Sequence, residues 1–194
     1  MNVVGLLAFA VVGSLRAIDA DFDVLGVAVL GVMTALGGGV TRDLLVNTVP
    51  VALRSTTDVS VALLGVVAGI ALAHLGDDLT DHSVVLLPDA VGLAAFATTG
   101  ALVAADAGLT AFGVVTLATI TGVGGGLVSD ILLQQVPFVL VEDFYATCAI
   151  LGGVVFWAVT AAGVGDGIGA GVCAAFVFVL RLLAIRYEWE LPTV

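Results

Sequence analysis

The sequence predicts an all-α integral membrane protein with seven transmembrane helices, arranged as two inverted three-helix repeats plus a seventh helix, with the second and fifth helices broken at glycines. Three observations lead there. Of the 194 residues, 61% are hydrophobic and 11% charged, with a mean hydropathy of +1.25, and a water-soluble domain has too little interior to cover so much apolar surface. Apolar segments long enough to cross a hydrocarbon core roughly 30 Å thick recur along the chain. Finally, a shift of 87 residues lays the first half of the chain on the second, matching 23 of the 50 positions from 4 to 53 with 91 to 140 and no gap.

The first segment, 2–17, has no basic residues ahead of its apolar run and recurs as an internal segment, so it is read as a retained helix and not a cleaved signal. The second, 24–46, contains Gly37, Gly38 and Gly39, then Arg42 and Asp43. The third is 58–75. The fourth, 88–105, repeats the first: VGLLAFAVVGSLRAIDA (4–20) aligns with VGLAAFATTGALVAADA (91–107). The fifth, 110–135, repeats the second, since TALGGGVTRDLL (34–45) aligns with TGVGGGLVSDIL (121–132), and VPVAL (49–53) with VPFVL (136–140). The sixth and seventh are 143–163 and 167–187. Residues 1–194 thus form a single transmembrane domain, with repeat 1 over 2–75, repeat 2 over 88–163, and the seventh helix over 167–187. Three spans per repeat is an odd number, so the second copy enters the membrane from the opposite side. Inverted repeats with discontinuous helices place a transport path near the midplane.

Charge separates rim from interior. All five basic residues are arginine, and 16 acidic residues give a net charge of -11. An acid-rich, lysine-free exterior points to a very salty cytoplasm, such as that of an archaeal or bacterial halophile, and it argues against a nucleic-acid partner. Every acidic residue except Asp43 and Asp130 is expected in a loop or at a helix end. Arg16, Arg181 and Arg186 fall toward one side and Arg54 toward the other, which puts the C-terminus in the cytoplasm and the N-terminus outside. Tyr187 and Trp189 fit an interfacial anchor.

Arg42, Asp43 and Asp130 are the charges expected well inside spans, where an ionisable group marks a functional site unless it only locks helix packing. Three glycines in a row weaken a helix by roughly 1 kcal/mol each relative to alanine. A break at Gly37, Gly38 and Gly39, mirrored at Gly124, Gly125 and Gly126, would turn carbonyls toward a cation, and Asp43 and Asp130 beyond the breaks would add negative field. Thr34 and Thr121 precede the breaks at matched positions and either present hydroxyls to a pore or bond their own backbone. Arg42 has no basic counterpart, since Ser129 occupies the matching position. Three roles are open to it: pairing partner, anchor of an unwound segment, or electrostatic gate.

Remaining features read as packing. Gly65-x-x-x-Gly69 and the glycines at 163, 165, 167, 169 and 171 suit close helix approach. Cys148 and Cys173 lack metal-like spacing. His74 and His82 flank a loop with Asp77, Asp78 and Asp81 that is read as solvated. A hydrolase is unsupported: both histidines are peripheral and no Gly-x-Ser-x-Gly occurs. No cofactor or metal is expected.

GLLAFAVVGSLRA followed by TALGGGVTRDLL, repeated as GLAAFATTGAL followed by GVGGGLVSDILLQQVPFVLVEDFYA, resembles the prokaryotic trimeric intracellular cation channel (TRIC) family, which overlaps a family with a glycine-transporter-type domain. The resemblance covers about residues 4 to 187. It implies a homotrimer in the lipid membrane, each protomer with its own pore for monovalent cations, mainly K+ with Na+ as the other permeant ion, and lipid as a bound neighbour. In that family the kinked second and fifth helices line the path. Carried over, the kinks are Gly37, Gly38, Gly39, Gly124, Gly125 and Gly126, and the polar residues after them are Arg42, Asp43 and Asp130. Ser129 departs from the arginine that related sequences often have there. A carrier for glycine or another small zwitterion is the alternative, with Arg42 holding a carboxylate and Asp43 or Asp130 an ammonium.

Overall fold

The computed structural model, which describes residues 2–75, 82–141 and 144–189, is helical almost throughout. Its elements are α1 (Asn2–Asp19), α2 (Val24–Leu45), α3 (Thr56–Leu75), α4 (His82–Asp106), α5 (Ala111–Leu132), the single turn α6 (Phe138–Val141), α7 (Tyr145–Ala161) and α8 (Asp166–Tyr187). Six of these are apolar and at least 18 residues long, and α7 has 17. At about 1.5 Å per residue even α7 reaches most of the way across a hydrocarbon core. The seven long helices make the chain a multi-pass integral membrane protein.

Local chemistry sets the ends of α2 and α5 in matching fashion. The Asp23 carboxylate accepts a hydrogen bond from the Gly26 N–H (2.7 Å), and the Thr110 hydroxyl accepts one from Gly113 (3.3 Å), which satisfies backbone donors the first turn leaves open. At the other end Asn47 and Gln134 take left-handed backbone (φ 56° for both). This lets the Thr48 and Gln135 N–H groups return to the carbonyls of Asp43 and Asp130 at 2.9 Å, the closure of a Schellman cap. Both aspartates therefore sit in the final turn, held at a defined angle.

Two three-helix groups follow. Helices α1, α2 and α3 enclose Leu6, Phe9, Leu30 and Val66; α4, α5 and α7 enclose Leu93, Leu117 and Phe156, with α8 added against α4 and α7. The groups meet through α1 on α4 and α2 on α5. At that seam Phe9 and Phe96 meet edge to face, 5.2 Å between centroids, and each ring lies on a glycine of the other group, Phe96 over Gly5 and Phe9 over Gly92. A methyl at Gly65 or Gly69 would come within 2.6 Å of Ala10 Cβ or 2.8 Å of Ser14 Cβ, so α3 lies against α1 where small residues admit it. Where lipid is as apolar as the side chains, such close backbone approach is a main source of helix association.

Several expectations need correction. Both α2 and α5 remain α-helical across their glycine triplets, so no unwound stretch opens there. Unpaired backbone groups in a bilayer cost several kcal/mol each, more than the roughly 1 kcal/mol per glycine that favours unwinding. Helix α4 begins at His82, not at 88, and carries Pro88 inside; the apolar Val84 to Leu87 run continues the helix for the same reason. Asp89 and Arg181, read as end and rim residues, are 9% and 2% exposed. Of the late glycines, Gly169 faces Thr160, whereas Gly163, Gly165, Gly167 and Gly171 meet nothing within 4 Å. Trp189 packs edge to face on Phe144 (5.1 Å). The loop with Asp77, Asp78 and Asp81 lies outside the described residues.

Candidate functional site

The two glycine triplets face one another where α2 crosses α5. A Cβ built on Gly38 would run into the Thr121 carbonyl oxygen, and one on Gly125 into that of Thr34; one on Gly124 would lie 2.9 Å from the Gly38 Cα. The middle glycines thus serve a reciprocal backbone contact and do not release carbonyls. Thr34 and Thr121, both fully buried, donate their hydroxyls to the carbonyls of Leu30 (2.7 Å) and Leu117 (2.6 Å) four residues back. The third glycines differ. The nearest group to a Cβ on Gly39 is the Arg42 guanidinium at 3.8 Å, and on Gly126 the Tyr145 hydroxyl at 3.9 Å. Gly39 and Gly126 therefore border polar groups and have room around them.

Beyond the crossing lie the two aspartates, at opposite ends. Asp43 Oδ1 accepts from Arg42 Nε at 2.9 Å and lies 2.7 Å from Nη2, while Oδ2 accepts from the Val51 N–H at 2.8 Å. Arg42 and Asp43 are both buried, and Arg42 Nη1 has no hydrogen-bond partner among the described residues. Of the roles open to Arg42, the geometry supplies the pairing one. Asp130, 1% exposed, is bound by an arginine from the other three-helix group: Arg16 Nη2 donates to Asp130 Oδ1 (2.5 Å) and Gln135 Oε1 (3.1 Å), and Nη1 to Ser129 Oγ (3.3 Å). Each aspartate has a guanidinium, taken from different places.

Sequence reasoning missed Arg16, although a signal was present. The 87-residue shift sets Arg16 over Val103 and Arg42 over Ser129; the first copy holds both arginines and the second neither. It also missed a second buried cluster at the Arg16 end. Tyr145 donates its hydroxyl to Asp89 Oδ1 (3.0 Å), and the Arg181 guanidinium lies 4.8 Å from the centre of the Tyr145 ring. The same shift carries Asn2 onto Asp89 and Asp58 onto Tyr145, and the Asn2 amide donates to Asp58 Oδ2 (3.2 Å). The two bonds occupy matching places with different chemistry. Among the described residues no group of His, Cys, Asp and Glu is arranged to hold a metal ion.

Comparison with known proteins agrees with this layout. The family model described as glycine transporter matches residues 1–74 and 86–161. The UPF0126 membrane protein YvgT of Bacillus subtilis is 37% identical, covering 99% of this chain and 94% of its own length. The UPF0126 inner membrane protein YadS of Escherichia coli is 36% identical over 100% and 94%. Among solved structures, a TRIC cation channel studied for the structural basis of its conductance superimposes with a TM-score of 0.91 at 36% identity, covering 100% of this chain and 95% of that one. The TRIC trimeric intracellular cation channel orthologue from Rhodobacter sphaeroides gives 0.89 at 30% identity over 97% and 96%. The chain therefore belongs to the glycine transporter family of membrane proteins and shares sequence and fold with the TRIC cation channel structures.

Proposed function

We propose that this chain is a monovalent cation channel, permeable to K+, with one path per protomer in a homotrimer. The path runs along the α2 and α5 crossing between the Asp43 and Asp130 ends. The observation that carries the reading is the placement of these two buried carboxylates in the last turns of the two helices that cross at glycines. Ionisable groups at membrane depth, even when paired, mark ion pathways by default, and the TRIC structures, similar along nearly their whole length, are described as cation channels and, for one, as trimeric. In this reading the triplets act as hinges. Gly39 and Gly126, with room around them, are where α2 and α5 kink to widen the path, while Gly38 and Gly125 keep the helices in contact. Thr34 and Thr121 hold the crossing. The two halves are inverted copies over 2–75 and 88–163, the N-terminus faces outward, the acid-rich rim suits a halophile, and lipid covers the outer faces.

Recording from purified protein in planar bilayers under a potassium chloride gradient tests the proposal. Discrete openings with a cation-selective reversal potential are expected, and Asp43→Asn or Asp130→Asn should lower cation selectivity or conductance. Unchanged currents in both folded variants would remove these residues from the path. One observation favours a second reading. Arg42 Nη1, buried and without a partner among the described residues, is a ready donor to a carboxylate, as a carrier for glycine or a similar zwitterion requires. Silent bilayers together with saturable glycine uptake into liposomes would establish the carrier.

A further inference from the structure

We infer that a groove at the turn between α2 and α3, built around Arg54, holds the phosphate of an anionic phospholipid whose chains lie along the open face of α3. The groove has a volume of about 380 Å³; its polar walls are Arg54, Ser55, Thr56 and Ser60, and its apolar ones include Leu53 and Val59. Arg54 is exposed, and its side chain has neither an ion pair nor a hydrogen bond among the described residues. The other guanidinium at this end, that of Arg42, is held by Asp43. Asp58, the carboxylate nearest to Arg54 along the chain, accepts from the Asn2 amide instead. In a chain of net charge -11, this groove is a place where positive charge stands uncompensated.

A guanidinium fork matches phosphate oxygens two at a time. Ser55 Oγ accepts from the Asp58 N–H (3.3 Å), which leaves the Ser55 proton free to donate as well. The groove wall has no aromatic ring and no carboxylate to receive a choline or ethanolamine head, so the fit is to an anionic lipid over a zwitterionic one. The chains have a track. Leu64, Val67 and Ala71 follow Ser60 at helical spacing on one face of α3, all exposed, with Leu64 and Val67 at 63%. Only 22% of the α3 membrane window is buried, the smallest share among the six long apolar helices of the described residues. Headgroup groove and apolar track therefore meet at the first turn of the barest helix, the level at which basic groups take lipid headgroups. The second repeat has no equivalent, since the 87-residue shift sets Arg54, Ser55 and Thr56 over Val141, Glu142 and Asp143. The headgroup also rests on a structured turn, whose Val51 N–H donates to Asp43.

Native mass spectrometry of the full chain in detergent, titrated with dioleoylphosphatidylglycerol or dioleoylphosphatidylcholine, reads the bound lipid directly and does not depend on whether the chain conducts. Wild type should hold phosphatidylglycerol about tenfold more tightly than phosphatidylcholine, and Arg54→Gln should abolish that preference. Ser60→Glu, which keeps Arg54 and adds a carboxylate to the groove, should weaken phosphatidylglycerol by about tenfold as well. Arg186→Gln, at an exposed arginine near the end of α8, should leave binding unchanged. Equal binding of the two lipids by wild type overturns the inference, as does unchanged phosphatidylglycerol binding in both groove variants. Should Arg54→Gln fail to fold, unchanged binding in Ser60→Glu is the overturning result. Glycerol phosphate at the lipid's concentration should not displace the lipid; if it does, the groove takes a free phosphate and the lipid assignment fails. An oligomer that Arg54→Gln splits into folded protomers would mark a contact between copies, and that too overturns the lipid site.

Discussion

Replacing single glycines of one triplet by alanine should move stability in opposite directions. A methyl at Gly38 meets a backbone carbonyl oxygen, that of Thr121, and cannot be accommodated by turning a side chain. Since an ordinary C···O approach is about 3.3 Å or more, α2 and α5 must separate on the order of 1 Å, and overpacking of this kind costs about 1–3 kcal/mol. Gly125→Ala makes the mirror overlap with the Thr34 carbonyl and should cost a similar amount. One separation relieves both overlaps, so the double variant should be less destabilised than the sum by about 1–2 kcal/mol, the coupling expected of sites sharing one backbone shift. At Gly39 the nearest group to a new methyl is 3.8 Å away, and Gly39→Ala should gain up to about 1 kcal/mol of helix propensity. Unfolding of detergent-solubilised protein by titrated sodium dodecyl sulfate, followed by far-ultraviolet circular dichroism, measures all four. If Gly38→Ala is as stable as Gly39→Ala, or if the two crossing variants add, the glycines do not hold a backbone contact.

The seam and the second buried cluster yield further expectations. Phe9→Ala and Phe96→Ala should each cost about 3–5 kcal/mol, and a double-mutant cycle should show about 0.5–1.5 kcal/mol of coupling from the edge-to-face pair; no coupling would refute a direct ring contact. Tyr145→Phe removes the buried donor to Asp89 and should cost about 1–3 kcal/mol. The matching but partly exposed bond tested by Asn2→Ala should cost about 1 kcal/mol or less, and equal losses in the same denaturation assay would contradict the difference in burial.

Much was legible in the sequence because a bilayer imposes simple rules: apolar runs of fixed length make the helices, and a shift that superimposes glycines, aspartates and prolines makes the repeat visible without coordinates. That Asp43 and Asp130 accompany the triplets was readable for the same reason, although both fall in the last turns of α2 and α5 and not well inside the spans. What the glycine triplets do was not. Propensity, a local property, favours breaking the helix, and the outcome depended on a partner backbone that only packing brings to Gly38 and Gly125. Nor could the sequence assign counter-charges. Arg42 finds Asp43 next door, but Asp130 takes Arg16 from 114 positions away in the chain, and Arg181 reaches Tyr145 from the last helix. Composition and spacing determine that charges lie in the membrane; which charge neutralises which is decided by helices crossing at angles and distances no single segment encodes.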